Sequence, residues 1–395
     1  MTGWVVPLAG AAAILLVAPL PSAHAADMRS RQWYLDAMRA DDLWKVSVGA
    51  GVTVAVVDTG VDASVPELRG RVLRGKNVEN SDGGTLSDEQ GHGTSMAATI
   101  AGSGAQGGIK GLAPSAKILP VKVSSQSESF GGLGIVAKGI RYAADSDAKV
   151  INVSQSGFPT SGERADLQAA INYASKKGKL VFAGSGNDGD GSPEYPAAMP
   201  GAVAVGAVAS SGKVSKFSNF GSHLALAAPG EKIPSYCPKN EGYCESKGTS
   251  QATALASASA ALIWSKHPNW TANQVLRVMM ETAGHDGPVP SKYIGYGTIR
   301  PAQVLLEGMG EPGDPDVNPL LAARQNESPT PSTSPSPANK NKGDSKDDQK
   351  QPRSENAAAE SDGGGTLWIV VTIVAAAAVA AGALVAVRVR NRRAP

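Results

Sequence analysis

The chain has 395 residues, of which 42% are hydrophobic and 18% are charged, so it is neither a wholly disordered protein nor one built of many membrane spans. Its 37 Lys and Arg residues nearly balance its 35 Asp and Glu residues, and a net charge of +2 gives no general electrostatic affinity for nucleic acid. Two cysteines exclude a disulfide-dense mini-domain and a four-cysteine zinc module, which leaves one sizeable globular domain with tails.

The N-terminus has the pattern of a signal peptide. Residues 5–20 form an apolar run that two prolines interrupt, and the run is too short and too broken to cross a bilayer. It is followed by Ala-His-Ala at 23–25, the small-x-small pattern that a signal peptidase cleaves. We therefore predict a signal peptide over residues 1–25 and an extracytoplasmic location for the globular domain after it.

Between Trp33 and Leu306, apolar runs of strand length alternate with amphipathic runs of helix length. The predicted strands cover residues 52–57, 117–123, 149–154, 179–184 and 202–208. The predicted helices cover residues 93–102, 132–146, 165–178 and 250–267. This alternation predicts an α/β domain whose mostly parallel sheet is covered by helices on both faces. Active groups in such sheets gather beyond the carboxyl ends of the strands.

Three short segments carry residues suited to nucleophilic catalysis. Asp58 follows a buried strand, His92 opens a helix within Gly-His-Gly-Thr, and Ser250 opens a long helix after Gly-Thr. A serine hydroxyl needs an adjacent base, a histidine can take its proton and return it to a leaving group, and a buried carboxylate fixes the imidazole tautomer. Alone, Asp-Thr-Gly is also found in aspartic proteases and Gly-Thr-Ser is also a helix cap. Together, in the order Asp, His, Ser, they predict a catalytic triad.

The two cysteines, Cys237 and Cys244, lie seven positions apart in the part predicted to be outside the cytoplasm. Disulfides persist in such compartments. We expect these two residues to form a disulfide just ahead of Ser250, where it would stiffen the approach to the nucleophile.

The C-terminal part has the pattern of a tether and an anchor. Residues 310–366 are rich in Pro, Ser and charged residues and predict a disordered linker with a span on the order of 40 Å. Residues 367–387 contain no charge and would form a helix about 32 Å long, enough to cross a bilayer. Four arginines follow in the tail, residues 388–395, and place it in the cytoplasm by the positive-inside rule.

The three segments resemble those of the subtilisin-like serine proteases, or subtilases. Four further segments support the resemblance: residues 111–123, 149–157, 184–189 and 217–230. Residues 31–62 and the C-terminal anchor are most similar to the mycosins, membrane-anchored subtilases that accompany type VII secretion systems in actinobacteria. The resemblance implies a subtilisin-like three-layer α/β fold for a peptidase domain over residues 26–309, in addition to the C-terminal transmembrane helix.

The resemblance also assigns further site residues. Asn187 would supply the second oxyanion donor beside the backbone N–H of Ser250, and the segment Ser154, Gln155, Ser156 and Gly157 would face the substrate. Subtilases usually have Ser-Leu-Gly-Gly in that segment, so Ser156 adds a side chain where a substrate backbone would run. The chain also has Gln251 and Ala254 where the family commonly has methionine and proline.

The resemblance to subtilases also bears on whether the protein needs a cofactor or a propeptide. No cofactor is expected for catalysis, no spacing for a metal ligand set is present, and Asp82 and Asp88 do not by themselves identify a calcium site. Cleavage after Ala25 leaves 32 residues before Asp58, so we expect the domain to fold without a folded inhibitory propeptide.

The sequence thus favours a membrane-anchored extracytoplasmic serine endopeptidase. It would process a narrow set of secreted or membrane proteins in connection with type VII secretion. The alternative is a structural component that stabilises the secretion apparatus independently of proteolysis. A general degradative protease is a third possibility, which the single membrane anchor favours less than the other two.

Overall fold

The computed structural model of the chain describes residues 1–2, 28–79, 84, 86–124, 132–237 and 242–327. All of these lie in the first of two units, Met1–Pro331. The predicted transmembrane helix, the basic tail and nearly all of the predicted signal peptide lie outside the described residues. Within the described ranges, no helix is long and apolar enough to span a membrane.

The centre of the domain is a seven-stranded sheet in which every neighbouring pair is parallel. Its order is β2-β3-β1-β4-β5-β6-β7, and a separate antiparallel hairpin, β8-β9, follows it. The strands are β1 Thr53–Asp58, β2 Lys76–Asn77, β3 Lys117–Lys122, β4 Val150–Val153, β5 Leu180–Gly184, β6 Val203–Val208, β7 Leu224–Pro229, β8 Ile233–Cys237 and β9 Gly242–Ser246. The five strands predicted from the sequence are confirmed to within one residue at each end, whereas β2, β7 and the hairpin are additional.

Helices cover both faces of the sheet, as predicted. They are α1 Met28–Arg31, α2 Trp33–Ala37, α3 Ala40–Val46, α4 His92–Ala101, α5 Leu133–Asp145, α6 Ser161–Lys176, α7 Thr249–Lys266, α8 Ala272–Glu281, α9 Pro301–Leu305 and α10 Pro319–Glu327. Alternate residues of β1 point to the two sides, so that Val54 and Val56 join one hydrophobic core while Ala55 and Val57 join the other. The first core lies against α4 and α7, and the second lies against α5 and α6.

Helix α7 is buried along almost its whole length, and alanine and serine make up most of its residues. A helix that is apolar on every side belongs in the interior, and small side chains let neighbouring backbones approach closely. It packs against α4 and against β4 to β7. Ala254, which stands where subtilases commonly have proline, is fully buried in this contact. The helix that begins at the candidate nucleophile is therefore held by the core itself.

The N-terminal helices α1 to α3 are tied to the domain by side-chain hydrogen bonds to distant backbone groups. Gln32, fully buried, accepts from the N–H of Lys110 at 3.0 Å and donates to the carbonyl of the same residue at 2.7 Å. Trp33 Nε1 donates to the Glu231 carbonyl at 3.0 Å, and Ser47 Oγ donates to the Leu262 carbonyl at 2.7 Å. These contacts make the segment part of the peptidase domain.

The predicted boundary of the disordered linker at residue 310 is wrong for its first part. The Pro315 carbonyl accepts hydrogen bonds from Asn273 Nδ2 at 2.8 Å and Thr271 Oγ1 at 3.0 Å. Helix α10 then buries Leu320 in the first core, and Arg324 donates to the His223 carbonyl at 3.0 Å. Buried Pro319 and Leu320, together with hydrogen bonds from side chains to backbone carbonyls, hold this stretch although it shows no apolar periodicity. The linker from residue 328 onward lies outside the described residues.

Candidate active site

Asp58 is the last residue of β1, at the carboxyl edge of the sheet, and its side chain is 0% exposed. Its Oδ1 atom accepts hydrogen bonds from the backbone N–H of Thr59 at 2.7 Å and from Gln155 Nε2 at 3.1 Å. The same oxygen lies 2.7 Å from His92 Nδ1. A buried carboxylate needs such partners, because the loss of hydration is otherwise costly. The pairing of Asp58 with His92 is the one the sequence predicted.

His92 is the first residue of α4, and the glycine that comes after it allows the approach to Asp58. A Cβ atom at Gly93 would lie 2.1 Å from the Gly60 carbonyl oxygen and 3.1 Å from the Asp58 Cβ. Glycine is therefore required at this position if the first turn of α4 is to rest on the loop after β1. The His92 side chain keeps 34% of its surface exposed, so a substrate can reach it.

Asp88 fixes the start of α4, and the sequence analysis did not assign it this role. It is buried, and both of its carboxylate oxygens accept hydrogen bonds. Five donors contact it: Thr59 Oγ1 at 2.9 Å, the Gln90 N–H at 3.2 Å, the Gly91 N–H at 2.9 Å, the Thr94 N–H at 2.9 Å and Thr94 Oγ1 at 2.8 Å. An acid just ahead of a helix N-terminus is a capping signal that could have identified it.

The charges around His92 determine its protonation. Burial by itself lowers the pKa of His92, because the imidazolium loses hydration. The attraction of the Asp58 carboxylate, its hydrogen bond and the more distant charge of Asp88 act in the opposite direction and outweigh burial. The pKa of His92 is therefore raised above its ordinary value, as suits a base whose protonated form must be stabilised during a reaction.

Ser250 is the second residue of α7 and is half-buried. Its backbone carbonyl accepts a hydrogen bond from Ser154 Oγ at 3.4 Å, and Ser154 Oγ in turn accepts from Asn152 Nδ2 at 3.0 Å. Ser257, further along α7, donates to Asn152 Oδ1 at 3.1 Å. This chain of hydrogen bonds joins the end of β4 to the start of α7 and positions the serine above the sheet edge.

Asn187 lies in the loop after β5, and its side chain is held by the residue that precedes Ser250. Asn187 Oδ1 accepts from the Thr249 N–H at 2.8 Å and from Thr249 Oγ1 at 3.2 Å. With its oxygen engaged by Thr249, Asn187 has its amide N–H group as a further hydrogen-bonding function, and this group is a donor. Asn187 is exposed, which is the arrangement required of a donor to an oxyanion that forms at the helix N-terminus.

The four residues of the segment predicted to face the substrate differ in their exposure to solvent. Ser154, Ser156 and Gly157 are all half-exposed at the edge of the sheet. Gln155 is different, because its side chain is buried and donates to Asp58. The Gln155 side chain therefore supports the acid of the triad, while the prediction that the segment 154–157 faces the substrate stays a prediction.

The β8–β9 hairpin joins the two helices that begin at His92 and Ser250. Cys237 and Cys244 form the expected disulfide within it, with their Cα atoms 5.8 Å apart. Ser95 of α4 donates to the Tyr236 carbonyl at 2.8 Å, while Gln251 Nε2 of α7 donates to Ser246 Oγ at 2.7 Å. Gln251, which stands where the family commonly has methionine, therefore serves this contact.

The site provides no set of ligands for a metal ion within the residues that the structure describes. Asp88 uses both carboxylate oxygens to hold the start of α4, and Asp82 lies outside the described residues. Asp58 and His92 are in direct contact, and Asn187 is bonded to the residue before Ser250 at the start of α7. The segment that contains Ser154 and Gln155 bonds both to Ser250 and to Asp58 and so joins the two pairs. An acid, a base, a hydroxyl and a side-chain amide are the groups required for acyl transfer through a covalent intermediate.

Comparisons with known proteins agree with this geometry. Residues 49–297 match the model of the subtilase family. The chain is 40% identical to thermitase from Thermoactinomyces vulgaris over 238 residues, which are 60% of this chain and 83% of thermitase.

Two solved structures are also similar to this chain. One is MycP1 from Mycobacterium smegmatis, with 29% identity, a TM-score of 0.64, and coverage of 75% of this chain and 89% of MycP1. The other is the MycP3 protease from the type VII (ESX-3) secretion system, with 31% identity, a TM-score of 0.62, and coverage of 69% and 88%.

We predict that His92 titrates above the ordinary imidazole value of about 6.5. Because the base must be neutral, kcat/KM should fall as the pH drops through this raised pKa. Nuclear magnetic resonance titration of the Ser250→Ala protein measures the pKa of His92 directly. In the double variant Ser250→Ala/Asp58→Asn, the pKa of His92 should be lower. His267 is the internal control, since burial and then Lys266 lower its pKa, and it should not respond to Asp58→Asn. A pKa of His92 at or below the ordinary value would contradict the assignment.

We predict that Asn187→Ala lowers kcat by about 10²- to 10³-fold, the range found when one oxyanion donor is removed from a related serine protease. KM should change little, because the donor acts mainly on the transition state. Steady-state hydrolysis of a peptide substrate measures both constants. Asn172→Ala on the exposed face of α6 is the matched control and should be active. An effect on KM alone would show that Asn187 binds substrate instead.

Proposed function

Because the chain belongs to the subtilase family of serine proteases, we propose that it is a membrane-anchored extracytoplasmic endopeptidase that processes a narrow set of secreted or membrane proteins in connection with type VII secretion. Serine endopeptidases of this family need no cofactor for catalysis. The observation that carries the catalytic part is the buried Asp58 carboxylate 2.7 Å from His92, which the segment of Gln155 and Ser154 joins to Ser250 at the start of α7.

The proposed reaction proceeds in two steps. His92 takes the proton of Ser250 as its hydroxyl attacks the scissile carbonyl carbon, and Asp58 stabilises the resulting imidazolium. The oxyanion accepts hydrogen bonds from the Ser250 N–H and from the Asn187 amide. His92 then gives its proton to the leaving amine, which leaves an acyl group on Ser250. Water, deprotonated by His92, hydrolyses this ester and restores the serine.

The membrane part of the proposal rests on the sequence at the two ends of the chain. The signal-peptide pattern of residues 1–25 would direct the domain across the membrane, and residues 367–387 would then hold it there. The intervening linker would let the domain turn above the surface. A tether of this kind raises the local concentration of the protease around substrates at the membrane.

Similarity to the mycosins supports the connection with secretion, because the MycP3 structure is described as a protease from a type VII secretion system. The same similarity is compatible with a structural role that does not depend on proteolysis. Ser156 favours keeping this second candidate, since its hydroxyl occupies the position where a subtilase commonly has glycine. Cleavage and scaffolding are not mutually exclusive.

We predict that the full-length protein reacts with a fluorophosphonate, forming one adduct at Ser250 that intact mass detects. Ser250→Ala should abolish the adduct, whereas Ser210→Ala, at an exposed turn, should retain it. In cells, Ser250→Ala should block substrate processing while secretion continues. If secretion is lost only when the whole protein is deleted, the structural role is favoured. A folded protein that forms no adduct would contradict the proposed peptidase function.

We predict that the full-length chain remains with membranes after a carbonate wash and that a chain truncated after Glu327 appears in the soluble extracytoplasmic fraction. The apolar length of residues 367–387, about 32 Å, is sufficient for one span. Deletion of residues 328–366 alone is the matched control and should leave the protein in the membrane. Membrane retention of the truncated chain would contradict the proposed anchor.

A further inference from the structure

A buried carboxylate, Glu194, lies against the substrate-facing segment. Gly157 and Tyr195 pair through two backbone hydrogen bonds, Gly157 N–H to the Tyr195 carbonyl at 3.1 Å and Tyr195 N–H to the Gly157 carbonyl at 3.0 Å. This pairing places Glu194 beside Ser156, whose hydroxyl donates to Glu194 Oε2. The Glu194 residue is only 7% exposed. No local sequence signal marks it, because the contact depends on a pairing across the fold.

The other oxygen of Glu194 faces the loop that carries the oxyanion donor. Gly186, the residue before Asn187, has a φ of +112° that favours glycine, and a Cβ atom there would lie 2.1 Å from Glu194 Oε1. Asn219 Nδ2 donates to the same oxygen at 2.9 Å. The carboxylate therefore lies between the substrate-facing segment on one side and the oxyanion loop on the other.

In the proposed reaction a substrate side chain would enter at this place. The scissile carbonyl oxygen would accept hydrogen bonds from Asn187 and from the N–H of Ser250, and the peptide before it would run beside Ser154 to Gly157. The residue that contributes this carbonyl, the P1 residue, would then direct its side chain between the substrate-facing segment and the oxyanion loop, where Ser156 and Glu194 lie.

Among the residues that the structure describes, Glu194 has no cationic partner. Its side-chain donors, Ser156 and Asn219, are neutral. Burial raises the pKa of Glu194, the Ser156 hydrogen bond opposes that effect, and the nearby exposed carboxylate of Asp188 adds to it. In the described part of the chain, two acids thus adjoin the proposed substrate site without an ion-pair partner.

We propose that Glu194 is the specificity-determining residue of the P1 pocket and that it selects peptides with lysine or arginine at P1, with Asp188 adding a second negative charge at the pocket rim. The inference rests on the proposed peptidase function and names its substrate class. An acid in the P1 pocket is the physical solution that trypsin uses for the same two side chains. A lysine or arginine side chain at P1 would supply the missing positive charge. Its binding would exclude water from the ion pair that it forms with Glu194.

The test compares peptides that differ only at P1, with lysine, arginine, norleucine or alanine, on the full-length protein in detergent. Norleucine has the carbon chain of lysine without its ammonium group. We expect kcat/KM for lysine to exceed that for norleucine by at least about tenfold, and Glu194→Gln to reduce this ratio by at least about tenfold. Asp188→Asn should reduce the ratio less. Asp190→Asn, which removes an exposed charge from the same loop, should leave the ratio unchanged.

A ratio that favours norleucine or alanine in the native protein would overturn the proposal, because it would show that Glu194 only fills the pocket. A ratio unaffected by both Glu194→Gln and Asp188→Asn would overturn it as well. Using both variants keeps the test valid if Glu194→Gln unfolds, which its melting temperature would show.

A binding measurement separates failure of this proposal from failure of the peptidase function. Fluorescence of p-aminobenzamidine, a cation that fits an acidic P1 pocket, is monitored on the full-length Ser250→Ala protein, with aniline as the uncharged control. Saturable binding that weakens at least about tenfold in Ser250→Ala/Glu194→Gln supports the cation pocket even if no peptide is cleaved. Absence of binding overturns it, whereas the peptidase function is decided by the fluorophosphonate adduct alone.

Discussion

The burial of the Asp58 carboxylate at the carboxyl end of β1 is the constraint on which the arrangement of the site depends. A negative charge removed from water costs several kcal/mol unless donors replace its hydration. Here the donors come from three separate elements: the Thr59 backbone, the Gln155 side chain after β4, and His92 at the start of α4. Each of these must be in place for the carboxylate to remain buried. The same hydrogen bonds that stabilise Asp58 therefore fix the position of the base.

Three buried acids surround the site, and each is stabilised in a different way. Asp58 is paired with an imidazole that becomes cationic, and Asp88 is saturated by the N–H and hydroxyl donors at the start of α4. Glu194 has only a hydroxyl and an amide. The first two hold the start of α4 in place. The third lies against the substrate-facing segment through Ser156, and for that reason it is the one expected to respond to what binds.

Local sequence patterns predicted those features that depend on neighbours in the chain. The five central strands, four helices, and the positions of Asp58 and His92 at an edge of the sheet follow from apolar periodicity and from the Asp-Thr-Gly and Gly-His-Gly-Thr segments. Features that depend on distant pairings could not be predicted in this way. The Gln155 side chain donates to Asp58, and Glu194 contacts Ser156 because Gly157 pairs with Tyr195. Helix α10 packs against the first core through Leu320. In each case the partner is remote in sequence and the local pattern is ambiguous.

The hydrogen bonds of the N-terminal helices have a consequence for the rate of folding. Gln32, Trp33 and Ser47 bind backbone groups that lie 78, 198 and 215 positions later in the chain. Contacts of such high sequence separation close large loops and form late, so they delay folding more than they affect final stability. Asp58 is synthesised early, while Ser250 emerges only after most of these partners. A nascent chain would therefore carry the acid and the base well before it could assemble the nucleophile at the start of α7.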